Sequence, residues 1–409
     1  MQANPNMRDG NSGGSDLSSL RVAIVHYWLL GYGGGERVIS ALLEVFPQAD
    51  LFALVANEEM CARFAQHRVT TSFLQHVPGS HRYHRHMLPL CPIALEQFDL
   101  RGYDLVVSSE SGPAKGVITS SGTVHISYCH SPMRYIWDMY HEYTNGEDMK
   151  GLTRFIFKPV AHYMRMWDLA SAFRVDHFIA NSSNTAARIR KHYRRDALVI
   201  HPPVDVTSGY VADNVGDYYL AVSRLVDYKR MDLVVEACNR LQRPLHVVGI
   251  GSQYRRLKEV AGPTVKFLGE LTDAQKNEQY AHCRALLFPG EEDFGMVPVE
   301  AHSFGRPVIA YGRGGALETV VGYYPGEAVS AENYTGVFFP EQSVGSLTEA
   351  ILAFEAVEGR FSPALIRANA ERFDTAHFRR AMAGCISGRL AEFRDSSPGV
   401  ELQTVSEAH

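Results

Sequence analysis

No apolar run approaching 18 residues interrupts the 409-residue chain, so no transmembrane helix is encoded. A Cys-x-x-Cys pair is missing too. The six cysteines stand apart at 61, 91, 129, 238, 283 and 385, which argues for neither a zinc site nor a disulfide framework and fits a reducing cytoplasm. The N-terminus lacks the apolar h-region of a secretion signal; residues 1–19 are polar and rich in Gly, Ser and Asn, and read as a disordered tail. Nor is there the dense basic stripe that a nucleic-acid surface needs. Charge is instead divided by halves. Residues 1–204 carry 20 Lys and Arg against 18 Asp and Glu, whereas residues 205–409 carry 20 against 27, so the second half is the acidic one.

What is present is a 45% apolar, 21% charged chain too long for one hydrophobic core, which makes two domains the natural expectation. Short apolar runs alternate with amphipathic stretches. RVAIVHYW (21–28) reads as a buried strand, and GGGERVISALLEVF (33–46) has helical spacing, with Val38, Leu42, Leu43 and Phe46 on one face. Further strands are expected at 50–55, 103–109, 124–129, 177–180 and 198–200. After a Pro-, Asp- and Gly-rich linker at 201–217, a second series is expected at 218–223, 245–250, 265–269, 285–290 and 307–312. Repeated βα units predict an α/β protein with two Rossmann-like domains, whose parallel sheets face each other across a cleft. The expected boundaries are 20–204 and 205–375, then a helix at 376–394 able to pack back on the N-terminal domain, and a loose tail at 395–409.

Four motifs fall at strand ends, where ligands of such sheets bind. GYGGGE (31–36) opens the first helix, so Gly34 and Gly35 would let the backbone approach an anion at a helix N-terminus. Glu36 stands where a dinucleotide fingerprint needs glycine, which weakens an NAD-dependent oxidoreductase reading. YCHSPMRYIWD (128–138) brings His130 and Arg134 past another strand. SRLVDYKR (223–230) puts Arg224 and Lys229 beyond the first strand of the second domain, placed for charge-assisted bonds to a pyrophosphate. EEDFGMVPVE (291–300) sets Glu292 and Glu300 either side of a tight, exposed turn at Phe294-Gly295. There the amides of Phe294, Gly295, Met296 and Val297 begin a helix with Pro298 in its first turn. Carboxylates suit sugar hydroxyls and amides suit a phosphate, so the combination suggests a sugar phosphate. Each motif alone also has a plainer reading, as a flexible turn, a structural histidine, a solvated basic loop or a surface turn.

Taken in order, GGGE, His130, the Arg224 and Lys229 pair and the E-x7-E element from Glu292 to Glu300 resemble the retaining glycosyltransferases of family four. That group has the GT-B fold, and the resemblance spans about residues 21–390. It implies that Gly34 and Gly35 approach the donor diphosphate and that Arg224 and Lys229 neutralise it. Glu292 would then touch the transferred sugar, Glu300 the ribose, and His130 the sugar from the other domain. Asp293 and the 294–297 amides complete the implied donor site, with Arg134 on the acceptor side. The family's usual GG-small-E is GGGE here. HYW, LPLCPIALEQFDL and YCHSPMRYIWD look more specifically like bacterial polysaccharide and lipopolysaccharide mannosyltransferases, implying GDP-mannose as donor and a glycan or lipid-linked saccharide as acceptor. No Asp-x-Asp triplet occurs, so a metal-independent reaction without a cofactor is expected.

HRYHRHMLPL (81–90) and TRFIFKPVAHYMRMW (153–167) mix basic, aromatic and apolar residues. They could rest on an anionic bilayer at the inner face of the cell membrane, or be ordinary amphipathic segments. His81, His84 and His86 lack a second ligand cluster for a metal. A nucleotide-sugar epimerase or phosphorylase of the same architecture, and a non-catalytic donor-binding scaffold, are the rival functions.

Overall fold

Apolar runs buried on both faces cannot sit at the surface of a two-layer protein. In the computed structural model, which describes residues 17–145, 151–327 and 333–396, they become the interiors of two seven-stranded sheets. The first contains β1 (Val22–Leu29), β2 (Asp50–Ala56), β3 (Val69–Thr71), β4 (Leu105–Glu110), β5 (Val124–Cys129), β6 (His177–Ala180) and β7 (Ala197–Val199), in the order β3-β2-β1-β4-β5-β6-β7. The second contains β8 (Tyr219–Val222), β9 (Leu245–Val248), β10 (Val265–Gly269), β11 (Leu286–Phe288), β12 (Val308–Tyr311), β13 (Gly322–Tyr323) and β14 (Gly336–Phe339), in the order β10-β9-β8-β11-β12-β14-β13. Every strand pairing within both sheets is parallel. The α/β fold with two facing Rossmann-like units is therefore the observed one.

In each sheet the winding reverses beside the first strand: β1 lies between β2 and β4, and β8 between β9 and β11. The segments leaving β1, β4, β8 and β11 thus open onto the two reversal points, where an α/β sheet leaves a crevice at its carboxyl edge.

Most expected strands appear within one or two residues of their expected ends. β3, β13 and β14 were not expected. β3 is three half-exposed residues, β13 is two residues long, and Gly-Val-Phe-Phe of β14 is too short to show a period. The loose N-terminal stretch needs correction at its end: Leu17–Ser19 forms a 3₁₀ turn, and Leu17 packs on the first core. At the other end the last helix runs through residues 395 and 396. Residues 1–16 and 397–409 of the expected tails lie outside the described residues.

The chain passes between the units twice, and the passages run side by side. Val204 N–H donates to the Phe373 carbonyl at 2.9 Å, and Val204 pairs with Asp374 in a short parallel bridge. Having returned, the helix Thr375–Ser396 lays Phe378, Met382, Ile386 and Leu390 into the core of the first unit, against the helix Gly34–Val45 and strands β1, β2 and β4. All four are at most 1% exposed. Arg379 adds an ion pair to Glu44 at the surface.

Because Phe378 is a core residue of a unit made by distant sequence, Phe378→Ala should cost about 3–5 kcal/mol. The cost would be read as a lowered urea midpoint. Leu365→Ala, at a position 36% exposed, should stay within about 0.5 kcal/mol of wild type.

Candidate functional site

β1 ends in a strand-to-helix turn built on glycine. Gly33 is the N-cap of the helix Gly34–Val45, and its N–H is held by Glu36 Oε2 at 2.9 Å, three residues into the helix. Below the turn, His26 is fully buried. Its Nδ1 lies 2.9 Å from the Ser109 carbonyl, which can only accept, so Nδ1 carries a proton; its Nε2 is 3.6 Å from Glu36 Oε1. No side chain fits at the next two positions without movement. A Cβ on Gly35 would stand 3.3 Å from His26 Cε1, and one on Gly34 would stand 2.8 Å from Met296 Sδ of the other unit.

That second contact brings two helix N-termini together. Met296 opens the helix Met296–Ser303, whose N-cap, Gly295, takes a left-handed φ of 88° and offers no side-chain cap. The positive ends of two helices, each capped by glycine, converge on one point of the cleft, which is an anion-binding arrangement.

Around it the sequence-predicted residues take these places. His130 follows β5, half-buried, with Nε2 2.8 Å from Ser109 Oγ and within 4.0 Å of the space a Gly35 Cβ would fill. Burial, reinforced by His26, pushes its pKa down to about 3, so the imidazole is neutral at physiological pH. Lys229, at the end of a 3₁₀ turn after β8, pairs with Glu292 Oε1. Arg224 donates from Nη2 to the Tyr228 hydroxyl at 2.7 Å. Glu300 is held on both oxygens, by Arg37 Nη1 from the first unit and by the Tyr280 hydroxyl, each at 2.7 Å. Asp293 receives Arg134 at 3.4 Å on one oxygen and Arg188 on the other. Met296 and Val297 are half-buried and pack on the adjoining cores.

Phe294 corrects the expectation of an exposed turn. Phe294 as a whole is 3% exposed and Gly295 is buried beside it; the Phe294 ring stacks on His201 at 5.3 Å and sits edge-on to Phe373 at 5.4 Å. The turn is tight because Gly315 lies against it. The Gly315 N–H donates to the Glu292 carbonyl at 2.8 Å, and a Cβ there would come within 2.3 Å of the Phe294 backbone.

Sequence reasoning passed over Arg37, Arg188 and a buried cluster beneath the first unit's wall. Arg37 and Arg188 sit in amphipathic helices where a basic residue usually means water, and no local signal separates them from such residues. The cluster centres on Lys115, which is fully buried against Asp168, with Glu110 Oε1 at 3.5 Å. Asp168 also accepts from Trp137 Nε1 at 2.7 Å and the Tyr193 hydroxyl at 2.9 Å. Glu110 is raised to about 7 by burial, against the pull of Lys115.

With this geometry in place, residues 32–208 match the family model described as "Glycosyltransferase Family 4" and residues 211–371 the one described as "Glycosyl transferases group 1". The chain is 28% identical over 183 residues to the Alpha-1,3/1,6-mannosyltransferase ALG2 of Homo sapiens, covering 36% of this chain and 44% of that one. It is 24% identical over 270 residues to the ALG2 of Saccharomyces cerevisiae, covering 52% and 51%. It thus spans about half the length of the curated relatives it matches. Anabaena HepE, solved in complex with UDP-glucose, superposes with a TM-score of 0.64 over 90% of this chain and 99% of that one at 18% identity, a likeness of fold.

The buried ionisable groups set a direction for stability against pH. Burial lowers His125 and His302 to about 4 and His130 to about 3, below the ~6.5 of a free histidine. Between pH 7 and 5 the unfolded chain takes up protons at these three positions that the folded chain refuses. Glu110 works oppositely, since its raised pKa lets the folded state bind a proton first. Two protons net remain, worth up to about 1.4 kcal/mol per pH unit each, so stability should fall on acidification. A urea midpoint that holds level or rises from pH 7 to pH 5 would contradict this assignment.

Proposed function

The chain belongs to the family-four, group 1 glycosyltransferases, and from that premise we propose that it moves mannose from GDP-mannose, with retention, onto a growing lipid-linked glycan of bacterial polysaccharide biosynthesis. The observation that supports the donor reading is the convergence of the Gly34 and Met296 helix N-termini, with Lys229 paired to Glu292 of the loop that leads into the second helix. A departing nucleoside diphosphate builds negative charge on its β-phosphate, and fixed amides and cations at that point lower the barrier. The sugar C1–O bond to phosphate breaks, the acceptor oxygen bonds C1 on the same face, and the acceptor's proton passes to the leaving phosphate.

The roles proposed for the residues are those the family resemblance implies. Arg224 and Lys229 neutralise the diphosphate with the amides of Gly34, Gly35 and residues 294–297. Glu292, beside Lys229, grips the transferred sugar, and Glu300 the ribose. His130, neutral because it is buried, offers a hydrogen bond from the opposite wall and is not a proton source. Mannose as the sugar rests on the resemblance to mannosyltransferases and on the ALG2 likenesses.

The acceptor side favours a membrane surface. The helix Leu152–Ala172 turns outward Phe155, 76% exposed, and Met166, 62% exposed, together with Ile156 and Tyr163; Phe173, just beyond it, is 70% exposed. The 3₁₀ segment His84–Leu90 packs beside this helix, and Arg82 and Arg85 near its start are exposed. Apolar side chains next to cations are the composition of a surface that lies on anionic lipid. No helix among the described residues is long and apolar enough to cross a membrane.

Calorimetry with GDP-mannose, GDP, UDP-glucose and NAD tests the donor. GDP-mannose should bind in the micromolar range and lose affinity in Glu292→Ala and Lys229→Ala. Preference for a UDP sugar would keep the family and remove mannose, whereas turnover of the sugar nucleotide without acceptor would point to an epimerase. Arg224→Ala or Lys229→Ala should lower turnover on the order of 10² to 10³, as removal of one oxyanion donor does; activity within about tenfold of wild type would remove that role. Separately, the protein should pellet with phosphatidylserine vesicles at low salt, release at high salt, and pellet less as Phe155→Ser/Met166→Ser. An absence of pelleting at either salt would remove the membrane contact.

A further inference from the structure

The contacts that bridge the cleft share one polarity. Arg37 reaches Glu300 at 2.7 Å, Arg134 reaches Asp293 at 3.4 Å, and Arg188 pairs with Asp293 and stands 3.7 Å from Glu291. Glu318 accepts the N–H groups of Ser183 at 3.0 Å and Asn184 at 3.3 Å, the first turn of the helix Ser183–Tyr193 that carries Arg188. In each, the cation or N–H belongs to the first unit and the carboxylate to the second. The acidic second half of the sequence is in part this surface.

Arg188 is the contact with the firmest footing. Its Nε is 3.5 Å from Asp138, whose other oxygen is 3.0 Å from His192 Nε2. The His192 ring stacks on Trp137 at 4.7 Å, and Trp137 donates to Asp168, the partner of buried Lys115. A guanidinium anchored in this way, 13% exposed, presents its remaining N–H groups to the segment that holds Glu292. The planar fork lets one side chain meet three carboxylates at once, which an ammonium on a flexible stem does less well.

We propose that Arg188 is a positioning residue. Acting through Asp293 and Glu291, it sets the place of the loop bearing Glu292 and holds the two units closed; Arg37 does the same through Glu300 for the helix Met296–Ser303. Only the effect on donor affinity rests on the glycosyl-transfer reading, because closure is a property of the chain alone.

The test is small-angle X-ray scattering of the full chain without ligand, on wild type, Arg188→Glu, Arg188→Lys and Arg37→Glu, with thermal melts to confirm folding and calorimetry with GDP-mannose alongside. Arg188→Glu and Arg37→Glu each place a carboxylate against carboxylates. Both should raise the radius of gyration and weaken GDP-mannose on the order of tenfold, within the range of typical coupling between sites. Arg188→Lys keeps the charge but not the fork, so it should scatter nearer wild type than Arg188→Glu does. Unchanged scattering in Arg188→Glu overturns the proposal for Arg188, and unchanged scattering in Arg37→Glu the one for Arg37; if Arg188→Glu fails to fold, Arg188→Ala decides in its place. Should wild type bind no sugar nucleotide, the donor reading falls while the scattering still settles closure.

Discussion

Where the two passages of chain between the sheets lie side by side, three aromatic rings close on one another: His201 from the outgoing passage, Phe373 from the returning one, and Phe294 from the loop after β11. Phe294 is the member that matters for the cleft. Its burial ties the segment holding Glu292 and Asp293 to the crossing itself and not only to the second sheet, while Gly315 presses on the same segment from behind. The position of Glu292 therefore follows from how the chain crosses. Aromatic packing of this kind is stiff because rings interdigitate without leaving room for alternative rotamers.

Electrostatics then divides into two layers. Deep in the first unit, Lys115, Asp168 and Glu110 satisfy one another out of reach of water, so that the wall of helices around Trp137 and Tyr193 has one arrangement. At the cleft, arginines fixed to that wall meet carboxylates of the second unit. The convergence of two helix N-termini, which favours an anion, lies between an arginine-bearing face and an acidic one. An anionic ligand there has both attraction and repulsion to reconcile, and the exposed Arg224 side chain donates to the Tyr228 hydroxyl.

The strands were legible because parallel strands covered by helices are apolar throughout, and runs such as VHISYC and HFIA need no period to be recognised. The strand-end places of Gly34, His130, Arg224 and Glu292 were legible for a related reason: each follows a strand at its carboxyl end. Three things resisted. β13 and β14 are too short to carry a pattern. Phe294 sits in a stretch whose glycine and acids look like surface, yet its ring is core to residues 201 and 373, so its burial depends on contacts that local sequence does not contain. Arg37 and Arg188 find partners 263 and 105 positions away, and on their own helices they are indistinguishable from solvated bases. The charge imbalance between halves was visible as a number, but its use as a mating surface was not.

The last long helix gives the fold an order in time. A ribosome releases residues 20–204 well before residue 390, and domains commonly fold as they emerge. Here the first sheet comes out without Phe378, Met382, Ile386 and Leu390, four of the side chains that fill its core. Until the second unit has been made and the chain has crossed back, an apolar groove along the helix Gly34–Val45 stays open to water. Emergence of residues 375–396, not emergence of the first sheet, is the step that covers this groove.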